Sequence, residues 1–528
     1  MRTIFVFFKT LSSRIVNRTH SLLGHRNFFA KTRPSRALYF YNTLGKEKQL
    51  FTLPTHVQSV RMYNCGPTVY DRQHIGNLSA AVFADLLRRT LELNGYKVKQ
   101  VINITDFGHL VSDGDDGEDK MSKGLKREKL AFNMKNMRDF ATKYMELYLA
   151  DIAALNVAVK KIKFPRASDY IPGQIAMVKT LEEKGYAYET SDGVYFDTTR
   201  FADYGILGGI DTSSMKDRAR IDTNSEKRHP TDFAIWKKCE PVEESADIKK
   251  PITKRKKLGW ESPWGMGFPG WHIECSAMIN SILGKQIDIH TGGIEHVSIH
   301  HNNEIAQSEA ATGKQPFSRF WMHRAHIQMQ GTKLAKSTGN TAYLSDLDEH
   351  NIHPVALRYW FFTSHYRTPS NFTWEALEAS SQAWVRLQQR MQVVRAEPDR
   401  EAPAAFVNAF TERINDDLDT PGALALLWDS VKNPEYSPAD IKAILTFADG
   451  VLALSLVAPD EKARAQMTAP QGVALESLPK DVQILISERT AARESKDWSK
   501  ADILRAALRE KGYEVKDGVT GVEIQKII

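Results

Sequence analysis

Between Val60 and Ile104 the apolar positions change their period twice. Val60 to Tyr63 reads as the end of a strand, and Gly66-Pro67 then turns the chain. From Leu78 to Leu93 the spacing becomes helical: Leu78, Val82 and Leu86 stand four apart, as do Phe83, Leu87 and Leu91, and Gly95 supplies the stop. Val98 to Ile104 returns to a continuous apolar run. The segment predicts strand–helix–strand, the opening of a parallel sheet in an α/β domain. A helix in that position aims its N-terminal amides at whatever binds above the strand ends, commonly a phosphate.

The texture then changes. Residues 127–156 read as helix, and so does Gly173 to Lys184, which Gly185 stops. Short strands follow at Tyr186 to Tyr188 and Val194 to Phe196, so residues of about 160–232 read as an insertion between two halves of a nucleotide-binding domain of residues 38–345. Beyond Ser345 the chain turns helical. Residues 346–385 open this helical part, and 386–460 carry the long apolar spacing of a helical bundle. A Pro- and Gly-containing stretch, Ala458 to Leu478, reads as a linker to a small C-terminal domain of residues 478–528.

Composition narrows the class. A chain of 528 residues is too long for one core. Three cysteines are too few for a disulfide scaffold and point to a reducing compartment, hence the cytoplasm. No run of 18 apolar residues offers a membrane span. The net charge of +7 sits in the head: residues 1–46 hold nine Lys and Arg and no acid. Residues 1–37 therefore read as a basic extension, either disordered or a transit peptide that would address an organelle matrix. The acidic run Ser112 to Lys120 misplaces the Gly of a calcium loop and lacks its closing Glu, so it reads as a solvated turn. The charged stretch Glu240 to Lys257 reads equally as a solvated loop or as a contact for RNA phosphates.

Three groups of residues carry candidate chemistry. His74-Ile75-Gly76-Asn77 opens the first helix after Cys65-Gly66-Pro67-Thr68-Val69-Tyr70. The second group begins at Gly267, with Trp271 and Cys275, and continues through Asp288-Ile289-His290-Thr291-Gly292-Gly293 to His300 and Glu304. His300 and Glu304 stand four apart, on one helix face. Two thiols, an imidazole and a carboxylate make an acceptable zinc set, although the spacing alone is weak and such residues are individually commonplace. The third group is Lys333-Leu334-Ala335-Lys336-Ser337.

Together these resemble the class I aminoacyl-tRNA synthetases, and specifically the cysteinyl-tRNA synthetase family, over about Leu38 to Gly521. The resemblance implies a Rossmann-like catalytic domain with a connective-peptide insertion, then a stem, a bundle and a C-terminal anticodon-binding domain. His74 and Asn77 match the "HIGH" motif, with Asn77 in place of its last His, and Lys333 and Lys336 match the charged positions of "KMSKS". It also implies ATP contacts at Gly76, Asp288, His290, Gly292 and Lys336, and amino-acid contacts at Gly66, Thr68 and Trp271. Zinc would be held by Cys65, Cys275, His300 and Glu304, whereas Cys239 matches no ligand. Thr105 and Asp106 would lie near the substrate, and Trp498 would either stack on a base or pack internally, packing being preferred.

The expected activity is cysteine–tRNA ligation by a monomer that binds ATP with Mg2+, L-cysteine and tRNA(Cys), with no editing domain. Cysteine and serine differ by one atom, and a pocket built on shape separates such isosteres poorly. A soft metal separates them by preferring thiolate to hydroxyl. Two alternatives remain: a ligase passing cysteine to a small amine, and a catalytically silent tRNA-binding homologue.

Overall fold

The computed structural model describes residues 37–54, 57–107, 120–208, 225–240, 258–329, 332–333, 341–468, 475, 478–495, 497–518 and 521–526. Its centre is a five-stranded, all-parallel sheet. In chain order the strands are β1 (Val60–Asn64), β2 (Val98–Ile102), β3 (Ile162–Lys163), β4 (Ile287–Gly293) and β5 (Ser318–Arg324), arranged in space as β5-β4-β1-β2-β3. Side chains alternate across it: Met62 and Phe320 enter the core shared with helix α1 (Ile75–Leu93), while Tyr63 and Trp321 enter the core on the other face. That second core is closed by helices α2 (Trp271–Ile282) and α3 (His300–Thr312). Both faces are therefore covered, as a parallel sheet requires. A hairpin of Tyr39–Asn42 and Glu47–Leu50 covers the β5 edge. There the Trp321 N–H donates to Asn42 Oδ1 and Asn42 Nδ2 donates to the Arg319 carbonyl, both at 2.9 Å.

The chain leaves β1 toward β2 and β3, then returns to β4 and β5 on the other side. The crevice at the carboxyl ends of β1 and β4 is thus the topological switch point, where such sheets bind ligands.

Three expected boundaries move. The insertion's antiparallel sheet runs Ala187–Glu189, Gly193–Phe196, Phe233–Lys238 and Gly267–Pro269, so the insertion does not close at 232 but borrows two strands from beyond it. The bundle begins at 374, because Trp374–Val394 is one helix that the expected 385/386 boundary would cut. It continues through Ala404–Asn415, Thr420–Lys432 and Pro438–Leu452. Part of the expected linker is the helix Glu461–Thr468, packed against Trp374–Val394. The C-terminal domain has its own small core around Val482, Ile486, Leu508 and Val515. Trp498 is not in it. Its helix starts at Trp498 itself, before the buried stripe of Ala501, Leu504 and Leu508, and the ring is 55% exposed with the Arg493 guanidinium 5.2 Å from its centre. No described helix is long and apolar enough to cross a membrane.

Candidate metal and nucleotide site

Cys65 follows β1 directly, and its N–H donates to the Thr291 carbonyl of β4 at 2.9 Å, so it stands at the mouth of the switch-point crevice. Gly66 comes next because nothing larger fits: a Cβ there would lie 1.7 Å from the Asn103 carbonyl oxygen. Gly66→Ala should therefore push β1 away from the segment after β2, at a cost of about 1–3 kcal/mol. The variant's melting temperature should fall; an unchanged value would mean that the two backbones are not held in contact.

Ligand atoms of Cys65, His300, His301 and Glu304 all lie within 4.8 Å of one another. Helix α3 presents three of them from its first two turns. His300 Nε2 is 2.8 Å from Glu304 Oε1, Cys65 Sγ is 3.3 Å from His301 Nε2, and the Cys65 thiol points at Glu304 Oε1 at 3.8 Å. Cys275, on the second turn of α2, is close enough to Cys65 and His300 for the three to shift one another's protonation. Three of the expected metal ligands, Cys65, His300 and Glu304, are thus together, and Cys275 acts electrostatically on the first two. His301 joins them, although the i, i+4 rule did not select it; its i, i+3 relation to Glu304 was the available signal. Cys275, His300, His301 and Glu304 are buried and Cys65 is half-buried, so the group is approached from the Cys65 side.

The electrostatics suit a cation. Hydrogen bonding from Cys65 leads in pulling the Cys275 thiol down to about 6, against its burial. Burial, reinforced by Cys275, pushes the Cys65 thiol well up. Burial opposes charge on His300, but the Glu304 carboxylate outweighs it and raises the imidazole to about 10. Glu304, despite its own burial, is held well below the usual carboxylate range by His290 and His300. At neutral pH the group therefore holds a thiolate and a carboxylate around one imidazolium. Two sulfurs, an imidazole and a carboxylate in one buried cluster fit zinc. The surrounding rings orient the donors: His272 Nδ1 meets His300 Nδ1 at 2.8 Å, leaving Nε2 for the cluster, and His323 Nε2 meets His301 Nδ1 at 2.7 Å. His323 Nδ1 in turn meets the Thr43 hydroxyl at 2.7 Å.

Two expected ATP contacts are corrected. Asp288 sits at the opposite end of β4 from the crevice, fully buried, accepting from the Arg61 N–H at 2.8 Å and from Arg61 Nε at 3.2 Å. His290 points into the α3 face, where Nε2 meets Glu304 Oε2 at 2.9 Å and the ring stacks on Trp321. Gly292 does lie at the carboxyl end of β4, and a Cβ there would come within 2.7 Å of both His296 and His301. Thr105 stays at the rim, bridged to Thr68 and donating to Glu274 at 3.0 Å. Asp106 is instead engaged by Arg166 Nε at 3.0 Å and by the Ser168 hydroxyl at 2.7 Å. Burial, then Cys275, push the Glu274 carboxyl well above its usual range. Nothing in the sequence singled that residue out.

Trp271 opens α2 with its ring centre 4.3 Å from that of His300. His74 is the N-cap of α1, its Nδ1 accepting from the Asn77 N–H at 3.3 Å, and the Asn77 amide donates to Gln73 Oε1 at 2.6 Å. Gly76 lies between them. The backbone of Lys333 pairs with Gln328 in a small sheet, and Lys336 lies outside the described residues.

Residues 51–382 match the model of the class I tRNA synthetase (C) catalytic domain, and residues 475–524 that of the cysteinyl-tRNA ligase anticodon-binding domain. In fold the chain resembles the methionyl-tRNA synthetase of Mycobacterium tuberculosis bound by methionyl-adenylate, with a TM-score of 0.50 and 12% identity over 77% of this chain and 93% of that one. The catalytic body is therefore that of a class I aminoacyl-tRNA synthetase. Cysteine–tRNA ligase 1 of Burkholderia lata is 42% identical over 485 residues, which is 92% of this chain and 96% of that protein. A cysteine–tRNA ligase of Thermus thermophilus is 39% identical over 505 residues, or 92% and 98%. The chain belongs to the cysteine–tRNA ligase family.

Proposed function

We propose that this protein activates L-cysteine with ATP and transfers it to the 3′ end of tRNA(Cys), using one zinc ion held by Cys65, Cys275, His300 and Glu304. The observation that carries the reading is the meeting of Cys65, His300 and Glu304 at the β1/β4 crevice, with Cys275 acting on the first two. The chemistry a bound zinc supplies there is preference for sulfur over oxygen, which separates cysteine from serine. Trp271 walls the amino-acid pocket, and Gly66 and Thr68 line it with backbone.

ATP, carrying Mg2+, lies over the start of α1. Gly76 admits its close approach, and His74 with Asn77, the latter held by Gln73, steadies the triphosphate. The cysteine carboxylate attacks the α-phosphorus, the α–β bridging bond breaks and pyrophosphate leaves. Lys336, supported by Lys333, stabilises the charge that grows on that leaving group. A ribose hydroxyl of the tRNA then attacks the cysteinyl carbonyl and AMP departs. The C-terminal domain holds the anticodon end, with Trp498 and Arg493 offering a stacking platform.

Cysteine-dependent exchange of pyrophosphate into ATP, followed by charging of tRNA transcripts, tests the reading in sequence. Absence of exchange in zinc-loaded protein would rule out any cysteine-activating ligase. Exchange without charging would redirect the second step to a small amine. Lys336→Ala should slow exchange by roughly tenfold or more while metal content stays that of the parent; an unchanged rate removes the loop from the mechanism.

A further inference from the structure

Away from the crevice, a cavity lies where α1 meets the stem helix Pro354–Phe362 and the start of the bundle helix Thr420–Lys432. It measures about 20 Å³ over the positions open to the centre of a water-sized sphere, whereas one bound water needs about 10–15 Å³. Arg324, the last residue of β5, lines it and is only 6% exposed. Its Nε donates to Ser79 Oγ at 2.9 Å, and its guanidinium stands 5.4 Å from the Phe361 ring centre. Among the described residues its terminal nitrogens make no hydrogen bond and no carboxylate pairs with it. Asp417, on the loop that precedes Thr420, is already engaged by the Tyr366 hydroxyl and Arg367 Nε at 2.6 and 2.8 Å.

Two further features converge on the same space. The hydroxyls of Ser364 and Thr420 line the cavity and have no partner among the described residues. Thr420 is the first residue of a 13-residue helix whose N-cap, Asp419, already accepts from the Gly422 N–H at 2.9 Å, so Thr420 contributes its hydroxyl and not a free helix end. Leu418, also in the lining, holds a left-handed backbone at φ 60°, a strained state for a branched side chain of the kind that gathers at ligand sites. Burial drags the Arg324 guanidinium down to about 10, still charged at neutral pH, and a water in the cavity would not neutralise it.

We propose that this cavity is a binding site for one small monovalent anion of the size of chloride, held by the Arg324 guanidinium and the Ser364 and Thr420 hydroxyls. The space of about 20 Å³ suits a chloride-sized ion better than a phosphoryl group. The anion ties the end of β5 and the segment after the stem helix to the first turn of a bundle helix, and so braces the catalytic body against the bundle.

The full-length protein, exchanged into sodium gluconate, provides the test at constant ionic strength. Replacing gluconate by chloride should raise the melting temperature by a few degrees in a saturable way. Crystals soaked in sodium bromide should show an anomalous peak against Arg324. Arg324→Met should abolish both the peak and the chloride response, and in gluconate should melt no lower than the parent, because the uncompensated charge is gone. Should that variant fail to fold, Thr420→Val should fold and move the chloride midpoint to several-fold higher concentration. A cavity without bromide, or a chloride response identical in the parent and Thr420→Val, overturns the proposal.

Discussion

Cys275→Ser should leave a protein that loses its metal on dialysis and, with it, cysteine-dependent pyrophosphate exchange. Apparent zinc binding at such sites is worth about 10–16 kcal/mol, so one donor of four carries about 2.5–4 kcal/mol. Exchanging sulfur for a poor hydroxyl donor then weakens retention by on the order of 100-fold. The paired variant His301→Gln separates the two possible donors on this side of the cluster. His301 Nε2 faces Cys65, but its other nitrogen is committed to His323, and burial holds the ring's pKa well below its usual value. A partner that only orients a ligand is worth about 10–100-fold, so His301→Gln should retain metal that Cys275→Ser does not. Metal content by plasma emission and exchange rate, measured on one preparation, decide the matter. Full metal and full activity in Cys275→Ser would remove Cys275 from the ligand set and install His301 in its place.

Acid should strip the same metal from the parent. At neutral pH Cys65 and His300 carry protons that zinc must displace, since burial has raised the first thiol and Glu304 has raised the imidazole to about 10. Below about 6 Cys275 gains one as well. Protons and metal compete for the same atoms, so retention weakens as pH falls and does so more steeply once Cys275 protonates.

What could be seen in the sequence was local. The strand, the Gly66 turn and the first helix are written within a few residues of one another, although the helix begins at Ile75 under a His74 cap and not at Leu78. The meeting of Cys65 with Cys275 is not local. It depends on strand order, because only the return of the chain to β4 beside β1 brings the two halves together. Spacing therefore gave a weak metal site, and the family resemblance supplied what spacing could not. Asp288 and His290 were misjudged for a related reason. Both lie in β4, Ile287–Gly293, whose sequence does not say which end faces the crevice or which side faces α3. The insertion's far boundary was missed because its sheet is completed by strands that follow a long intervening segment. The preference for packing at Trp498 failed because the residue opens its helix ahead of the buried positions Ala501, Leu504 and Leu508.

Asp85→Asn should be the most destabilising single change in the catalytic body, at about 3–5 kcal/mol. Asp85 is fully buried in α1. Its carboxylate accepts from Arg88, from Arg89 Nε at 2.7 Å, from Arg358 Nη2 at 2.7 Å and from the Ala158 N–H at 3.2 Å. Arg358, equally buried, also donates to the Leu155 and Leu452 carbonyls at 3.0 and 2.7 Å, so it joins the ends of two helices to α1. An amide at position 85 keeps the shape but leaves buried guanidinium charge without its anion. Arg358→Met should cost less, because two arginines still neutralise Asp85, and the double variant should recover part of the Asp85→Asn loss; strict additivity would deny that the two groups interact. Burial alone would raise the Asp85 pKa, but Arg89, Arg358 and Arg88 together hold it far below the usual carboxylate value. A lowered folded-state pKa contributes stability above the unfolded value, near 4, and loses it as pH falls further. The gap between parent and Asp85→Asn in urea midpoint should therefore hold from about pH 5 upward and narrow below about 4. A gap that widens in acid would mean that the carboxyl is protonated in the folded protein and that its arginines are neutralised by something else.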